Sequence, residues 1–144
     1  MKQMTIQQLS IFLENKSGRL TEVLEVLGRE KINVTAMTIA DTSEYGILRM
    51  VLSHPEEAYR LLKDRGFSVN LTEVISLKTP AEAGSFAKVL RIFSDQDISI
   101  EYMYAFSLGE KAAMVMRTTD TERAKDVIQK HGLEIIRPEM LYDL

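Results

Sequence analysis

The segment Glu14-Asn15-Lys16-Ser17-Gly18-Arg19-Leu20 holds the residues best suited to bind a small ligand. It separates an alternating apolar run from an amphipathic stretch, so it reads as a turn leading from a strand into a helix. Gly18 lets the backbone turn tightly or come close to a ligand. The first-turn amides beyond it have no acceptors within the helix, and the helix dipole favours negative charge there. A carboxylate bound at that point gains about 0.3–1 kcal/mol from the dipole, up to ~2 when partly buried. Asn15 donates and accepts through its amide, which suits a zwitterion carrying one group of each kind. The same residues also fit a plainer role, in which Asn15 and Ser17 satisfy the turn and cap the helix. The segment is neither a G-x-G-x-x-G fingerprint nor a Walker loop.

Other chemistry is scarce. The 144 residues include two histidines, His54 and His131, and neither cysteine nor tryptophan. The absence of cysteine excludes a disulfide framework, iron–sulfur clusters, zinc ribbons and thiol catalysis. The histidines stand far apart and outside any H-x-x-H setting, which makes them poor metal ligands. They read as surface or cap residues. No metal and no cofactor are expected, and binding is favoured over catalysis. A 45% hydrophobic, 27% charged composition is that of a folded chain. The net charge of -3, with no long basic stretch, argues against nucleic acid as a partner. No apolar run reaches the roughly 20 residues of a membrane span. The N-terminus is polar and carries no signal-peptide core, so the expected location is the cytoplasm.

An internal repeat supplies the elements that position the turn. Lys16 to Met37 lies over Glu82 to Met103 at an offset of 66 residues, which brings Gly18 onto Gly84, Ile32 onto Ile98 and Met37 onto Met103. The quartet Leu20, Val23, Leu24, Leu27 recurs as Phe86, Val89, Leu90, Phe93, each the apolar stripe of an amphipathic helix. Ala58, Leu61, Leu62 and Gly66 fall in the same way on Ala124, Val127, Ile128 and Gly132. Ser53 before Glu56, and Thr119 before Glu122, have capping-box spacing. Pro55 suits a helical first turn, and Gly66 and Gly132 suit a left-handed helix terminus.

Strands fill the remainder. Gln7 to Leu13 alternates, with Leu9, Ile11 and Leu13 on one face. Ile32 to Ile39 and Ile47 to Leu52 flank a hairpin over Asp41 to Gly46. Phe67 to Lys78 should hold the last strand of one repeat and the first strand of the next. The expected fold is α+β: two ferredoxin-like βαββαβ modules, antiparallel sheets with helices on one face, paired side by side. A unit of this size is marginal alone, so the modules should lean on each other and hold a ligand at their seam.

A strand, E-N-K-S-G-R-L, an amphipathic helix and then K-I-N-V together resemble the ACT domain. The resemblance covers the chain as two copies, about 1–70 and 71–144. It implies small regulatory modules that bind amino acids and act on enzymes of amino-acid metabolism. In serine-sensing members an asparagine two residues before the loop's proline contacts the effector. Asn15 matches it, with Ser17 in the proline position. A second contact asparagine matches Asn33, and Gly18 matches the glycine that lets the helix approach the ligand. In the second copy Asn15 becomes Ala81 and Asn33 becomes Ser99, while Gly84 persists. The resemblance therefore implies a binding set of Asn15, Ser17, Gly18, Arg19, Leu20 and Asn33, with Ala83, Gly84, Ser85, Phe86 and Ser99 as a half-site built mainly from backbone.

The repeats leave no sequence for a catalytic domain, so no enzyme activity is expected and regulation must act through a partner or an assembly. Tyr102, Met103, Tyr104 and Phe106 form an aromatic patch without an RNA-binding motif. It reads as a packing surface, and a homodimer would cover an exposed sheet face. Met50, Met114 and Met116 read as core filling. Two rival readings are an interaction module that dimerises or docks onto a metabolic enzyme without binding ligand, and an enzyme of ferredoxin-like fold.

Overall fold

In the computed structural model, residues 4–14, 16–41 and 44–142 are described. Asn15, Thr42 and Ser43 lie outside them. The elements run β1 (Thr5–Glu14), α1 (Arg19–Arg29), β2 (Val34–Asp41), β3 (Tyr45–Leu52), α2 (Pro55–Asp64), β4 (Ser68–Pro80), α3 (Ser85–Asp95), β5 (Ile100–Leu108), β6 (Lys111–Thr118), α4 (Thr121–His131) and α5 (Pro138–Tyr142). The predicted βαββαβ order thus recurs, with β4 serving as the last strand of the first copy and the first strand of the second. The Phe67 to Lys78 segment is one continuous strand, β4, rather than two short ones. No glycine or proline interrupts the stretch before Pro80, so nothing breaks the extended backbone.

Two compact units divide the chain. The first comprises residues 7–72 with 139–142. Its strands lie in the order β2-β3-β1, all antiparallel. Ile11 pairs with Leu48, and Met50 with both Leu9 and Met37, so one sheet face gathers the alternating apolar residues. Against it pack Val23, Val26 and Leu27 of α1 and Ala58 and Leu62 of α2, all buried, with Leu20 and Leu24 at the margin. The α1 stripe predicted from spacing therefore faces the core. The Thr35 hydroxyl donates to the Leu141 carbonyl at 3.1 Å, and the Leu141 side chain is buried.

The second unit comprises residues 73–138 with 4–6, and its strands lie in the order β4-β6-β5. Leu77 pairs with Met114, and Met116 with both Ile75 and Met103. Val89 and Phe93 of α3 and Ala124, Val127 and Ile128 of α4 close this core, and Met4 packs against it. Met50, Met114 and Met116 are fully buried, as core filling requires. Met103 joins the core cluster, whereas its neighbours Tyr102 and Tyr104 pair with Arg117 and Val115, whose side chains point to the opposite face. The fourth strand of this module is reduced to one bridge. Leu77 pairs with Ile135, Lys78 N–H donates to Glu134 O and Ile136 N–H to Ser76 O, each at 2.8 Å.

Three local expectations are corrected. The caps of α2 and α4 sit one residue later than the capping-box spacing suggests, at His54 and Asp120. Asp120 accepts from Arg123 N–H, because its carboxylate reaches the free amide of the first turn. Ser53 and Thr119 are occupied elsewhere, as described below. Phe86, assigned to the α3 stripe, is 38% exposed while Phe93 is fully buried. Its ring lines an open crevice with Ala105 of β5 and Ala112 of β6, whose small side chains leave it uncovered.

Candidate functional site

Both β-to-α turns carry the same backbone. Gly18 (φ 89°) and Gly84 (φ 86°) are left-handed and occupy the N-caps of α1 and α3. Among the described residues no side chain caps either helix, so the capping role offered to Ser17 is not taken up. Arg19 N–H donates to Lys16 O at 3.3 Å, and Ser85 N–H repeats this with Glu82 O at 3.1 Å. The first bonds inside each helix are Glu22 N–H to Gly18 O and Lys88 N–H to Gly84 O. Leu20 and Thr21 in α1, and Phe86 and Ala87 in α3, therefore present amides with no acceptor inside their helices. Ser17, Gly18, Ala83 and Gly84 are exposed and Ser85 is buried.

The first turn is charged. Lys16 pairs with Glu14 at 2.9 Å, and its hydrogen bond and charge hold the Glu14 carboxyl below the ordinary glutamate value, with a smaller contribution from Arg19. Arg19 bonds Glu22 at 3.1 Å and stacks over Phe67, its guanidinium carbon 4.8 Å from the ring centre. That contact fixes Arg19 against the first module rather than leaving it extended into solvent.

A crevice opens beside each turn. In the first module it has a volume of about 220 Å³, walled by Leu13, Glu14, Lys16, Arg19, Leu20, Ile39 and Gly46. In the second it measures about 400 Å³, and its walls include Glu82, Phe86, Ala105 and Ala112. Lys16 and Glu82, Leu20 and Phe86, Ile39 and Ala105, and Gly46 and Ala112 are all related by the 66-residue repeat. The sequence does not single out Ile39, Gly46, Ala105 or Ala112 as site residues. The offset connects them only when the sheet register is known.

Asn33 stands apart from this group. It is exposed and precedes β2, at the end of the sheet where Ser53 N–H donates to Asn33 O at 2.9 Å. The Gly18 turn follows Glu14, which pairs with Tyr45 at the opposite end of β3. Eight residues of β3 lie between these ends, a span of roughly 25 Å at 3.3 Å per residue. Within one module, Gly18 and Asn33 cannot hold the same amino acid. Ser99 is likewise remote from Gly84, and it lines a separate cavity of about 500 Å³ with Ala87, Leu90, Arg91 and Asp97.

Among the described residues no group of three or more His, Asp or Glu side chains could hold a metal ion. No helix among them is long and apolar enough to cross a membrane. His54 is exposed at the start of α2, and His131 Nδ1 lies 3.1 Å from Val127 O at the end of α4.

Comparison with known proteins agrees with this architecture. The sequence pattern of the ACT domain pair matches residues 4–144. The chain is 44% identical to protein BT0572 from Bacteroides thetaiotaomicron over 98% of both chains, with a TM-score of 0.93. It shares its fold with the regulatory subunit of aspartate kinase from Thermus thermophilus in its ligand-free form, at 13% identity and TM-score 0.63 over 88% of this chain and 90% of that one. The regulatory subunit of aspartate kinase from Thermus flavus is similar, at 14% identity and TM-score 0.62 over the same shares. No curated protein matches the sequence. With two left-handed turns, two uncapped helices and a family pattern running nearly end to end, this chain belongs to the ACT domain pair family.

Proposed function

We propose that the protein is an amino-acid-binding regulator with no catalytic activity of its own. The observation that carries this reading is the repeated turn: two helices that begin at a left-handed glycine, each uncapped and each beside a crevice. The ligand carboxylate accepts from the free amides of Leu20 and Thr21, or of Phe86 and Ala87. In the first module Ser17, Gly18 and Arg19 frame that carboxylate, and Asn15 is carried over as a binding residue from the family resemblance alone. Membership of the family supports a regulatory output on an enzyme of amino-acid metabolism, exerted by a homodimer. The ligand acts by binding one conformation of the protein more tightly than another.

Thermal unfolding in the presence of each of the twenty amino acids tests the reading. One or a few should stabilise the protein saturably, by about 2.7 kcal/mol at a hundredfold excess over Kd. A flat response across all twenty would leave the interaction module. That second reading draws on Phe12 and Tyr45, 52% and 49% exposed on the sheet face turned away from the helices.

A further inference from the structure

The two crevices occupy equivalent positions and differ in what fills them. In the first, the Ile39 side chain lies across Gly46, its Cδ1 only 3.2 Å from where a β-carbon on Gly46 would stand. In the second, both positions are alanine, and the space opens from about 220 to about 400 Å³. Small-molecule pockets occupy about 300–1,000 Å³, so only the second crevice reaches that size. The charges differ as well. Glu14, Lys16 and Arg19 wall the first, whereas Glu82 is the one charged side chain on the wall of the second. The remainder of that wall is largely alanine, proline and phenylalanine, with the Phe86 ring 38% exposed.

We propose that the second crevice is the selective one, and that it takes an amino acid with an apolar side chain of leucine or phenylalanine size. The side chain packs on Phe86 over Ala105 and Ala112. The ammonium faces the Glu82 carboxylate, and the carboxylate meets the free amides of Phe86 and Ala87. This assignment rests on the reading of the protein as an amino-acid binder and adds the class of ligand and the module that chooses it. The first crevice, closed by Ile39 and lined with paired charges, does not admit such a side chain.

Isothermal titration with L-leucine, L-phenylalanine and L-serine, on the parent protein and on Ala105→Ile and Ala105→Val, tests the assignment. Leucine or phenylalanine should bind and serine should not. Ala105→Ile, which rebuilds the obstruction of the first crevice, should weaken binding about tenfold or more. Ala105 is exposed on a strand, where a β-branched residue is well tolerated, and Ala105→Val provides a smaller obstruction to the same end. Equal affinity in the Ala105 variants and the parent would overturn the assignment while amino-acid binding stood. Binding of serine alone would overturn the selectivity in the same way. No binding by any of the twenty amino acids would remove both proposals together.

Discussion

Asn33 and Ser53 grip each other twice. The Asn33 N–H donates to the Ser53 hydroxyl oxygen at 2.9 Å, and the Ser53 N–H donates to the Asn33 carbonyl at 2.9 Å. Ser99 and Thr119 repeat the arrangement, at 3.3 Å through the hydroxyl and 3.0 Å through the backbone. The clamp closes the entry to β2 against the exit from β3, and the entry to β5 against the exit from β6. It also explains why Ser53 and Thr119 do not cap the helices that follow them. The Ser53 oxygen lies 2.9 Å from His54 Nδ1 as well, so the hydroxyl bonds the ring while it accepts from Asn33.

Ser53→Ala should therefore destabilise the protein by about 1 kcal/mol, the contribution of one part-buried hydrogen bond. Ser53→Thr should retain most of the stability. Urea unfolding of the three proteins measures the difference, and equal midpoints for Ser53→Ala and the parent would show that the hydroxyl contributes nothing.

Two glycines of the first turn and helix should respond in opposite directions to alanine. Gly18 is left-handed with open space where a β-carbon would stand, so only backbone strain opposes the substitution. Gly18→Ala should cost about 1–2 kcal/mol. Gly28 lies inside α1, also with open space, and Gly28→Ala should raise stability by about 0.5–1 kcal/mol. Thermal unfolding of both variants reads the signs directly.

Phe93 and Phe86 occupy the same helix with opposite burial. Phe93→Ala removes a fully buried ring from the second core and should cost about 3–5 kcal/mol. Phe86→Ala should change stability by less than about 1 kcal/mol, since its ring is already partly solvated. A large loss in Phe86→Ala would place that ring in the core after all.

The Glu14 carboxyl should titrate below the ordinary glutamate range, because the ionised form is hydrogen-bonded to Lys16. A carboxyl depressed by folding favours the folded state above its unfolded pKa, and that contribution disappears as pH falls through the lower, folded value. The group is exposed, so the effect is confined to acid pH and diminishes in high salt. Carbon-detected NMR titration should show the Glu14 value rising towards the ordinary one in Lys16→Ala. An unchanged value would rule out the pair as the cause.

Much of the architecture was legible in the residues. Apolar side chains at helical spacing can face a core only if the segment is helical, which is why Val23, Leu27, Val89 and Phe93 lie buried where spacing put them. Glycine alone adopts φ near 90° at little cost, so Gly18 and Gly84 marked both turns, and Gly66 and Gly132 two helix ends. These are local constraints, satisfied within one or two turns of chain. The rest depended on contacts between residues distant in sequence. Whether Ser53 caps its own helix or bonds Asn33 is decided by which strand arrives beside it. Phe86 is exposed because the strands set only the small Ala105 and Ala112 beside its ring. Thr35 and Leu141, far apart in the chain, meet only in the folded molecule. The separation of Asn33 from the Gly18 turn follows from strand length and register, and the unequal volumes of two repeated crevices follow from which side chains those registers set opposite one another. Periodicity specifies the face a residue takes; only the assembled sheet determines what stands across from it.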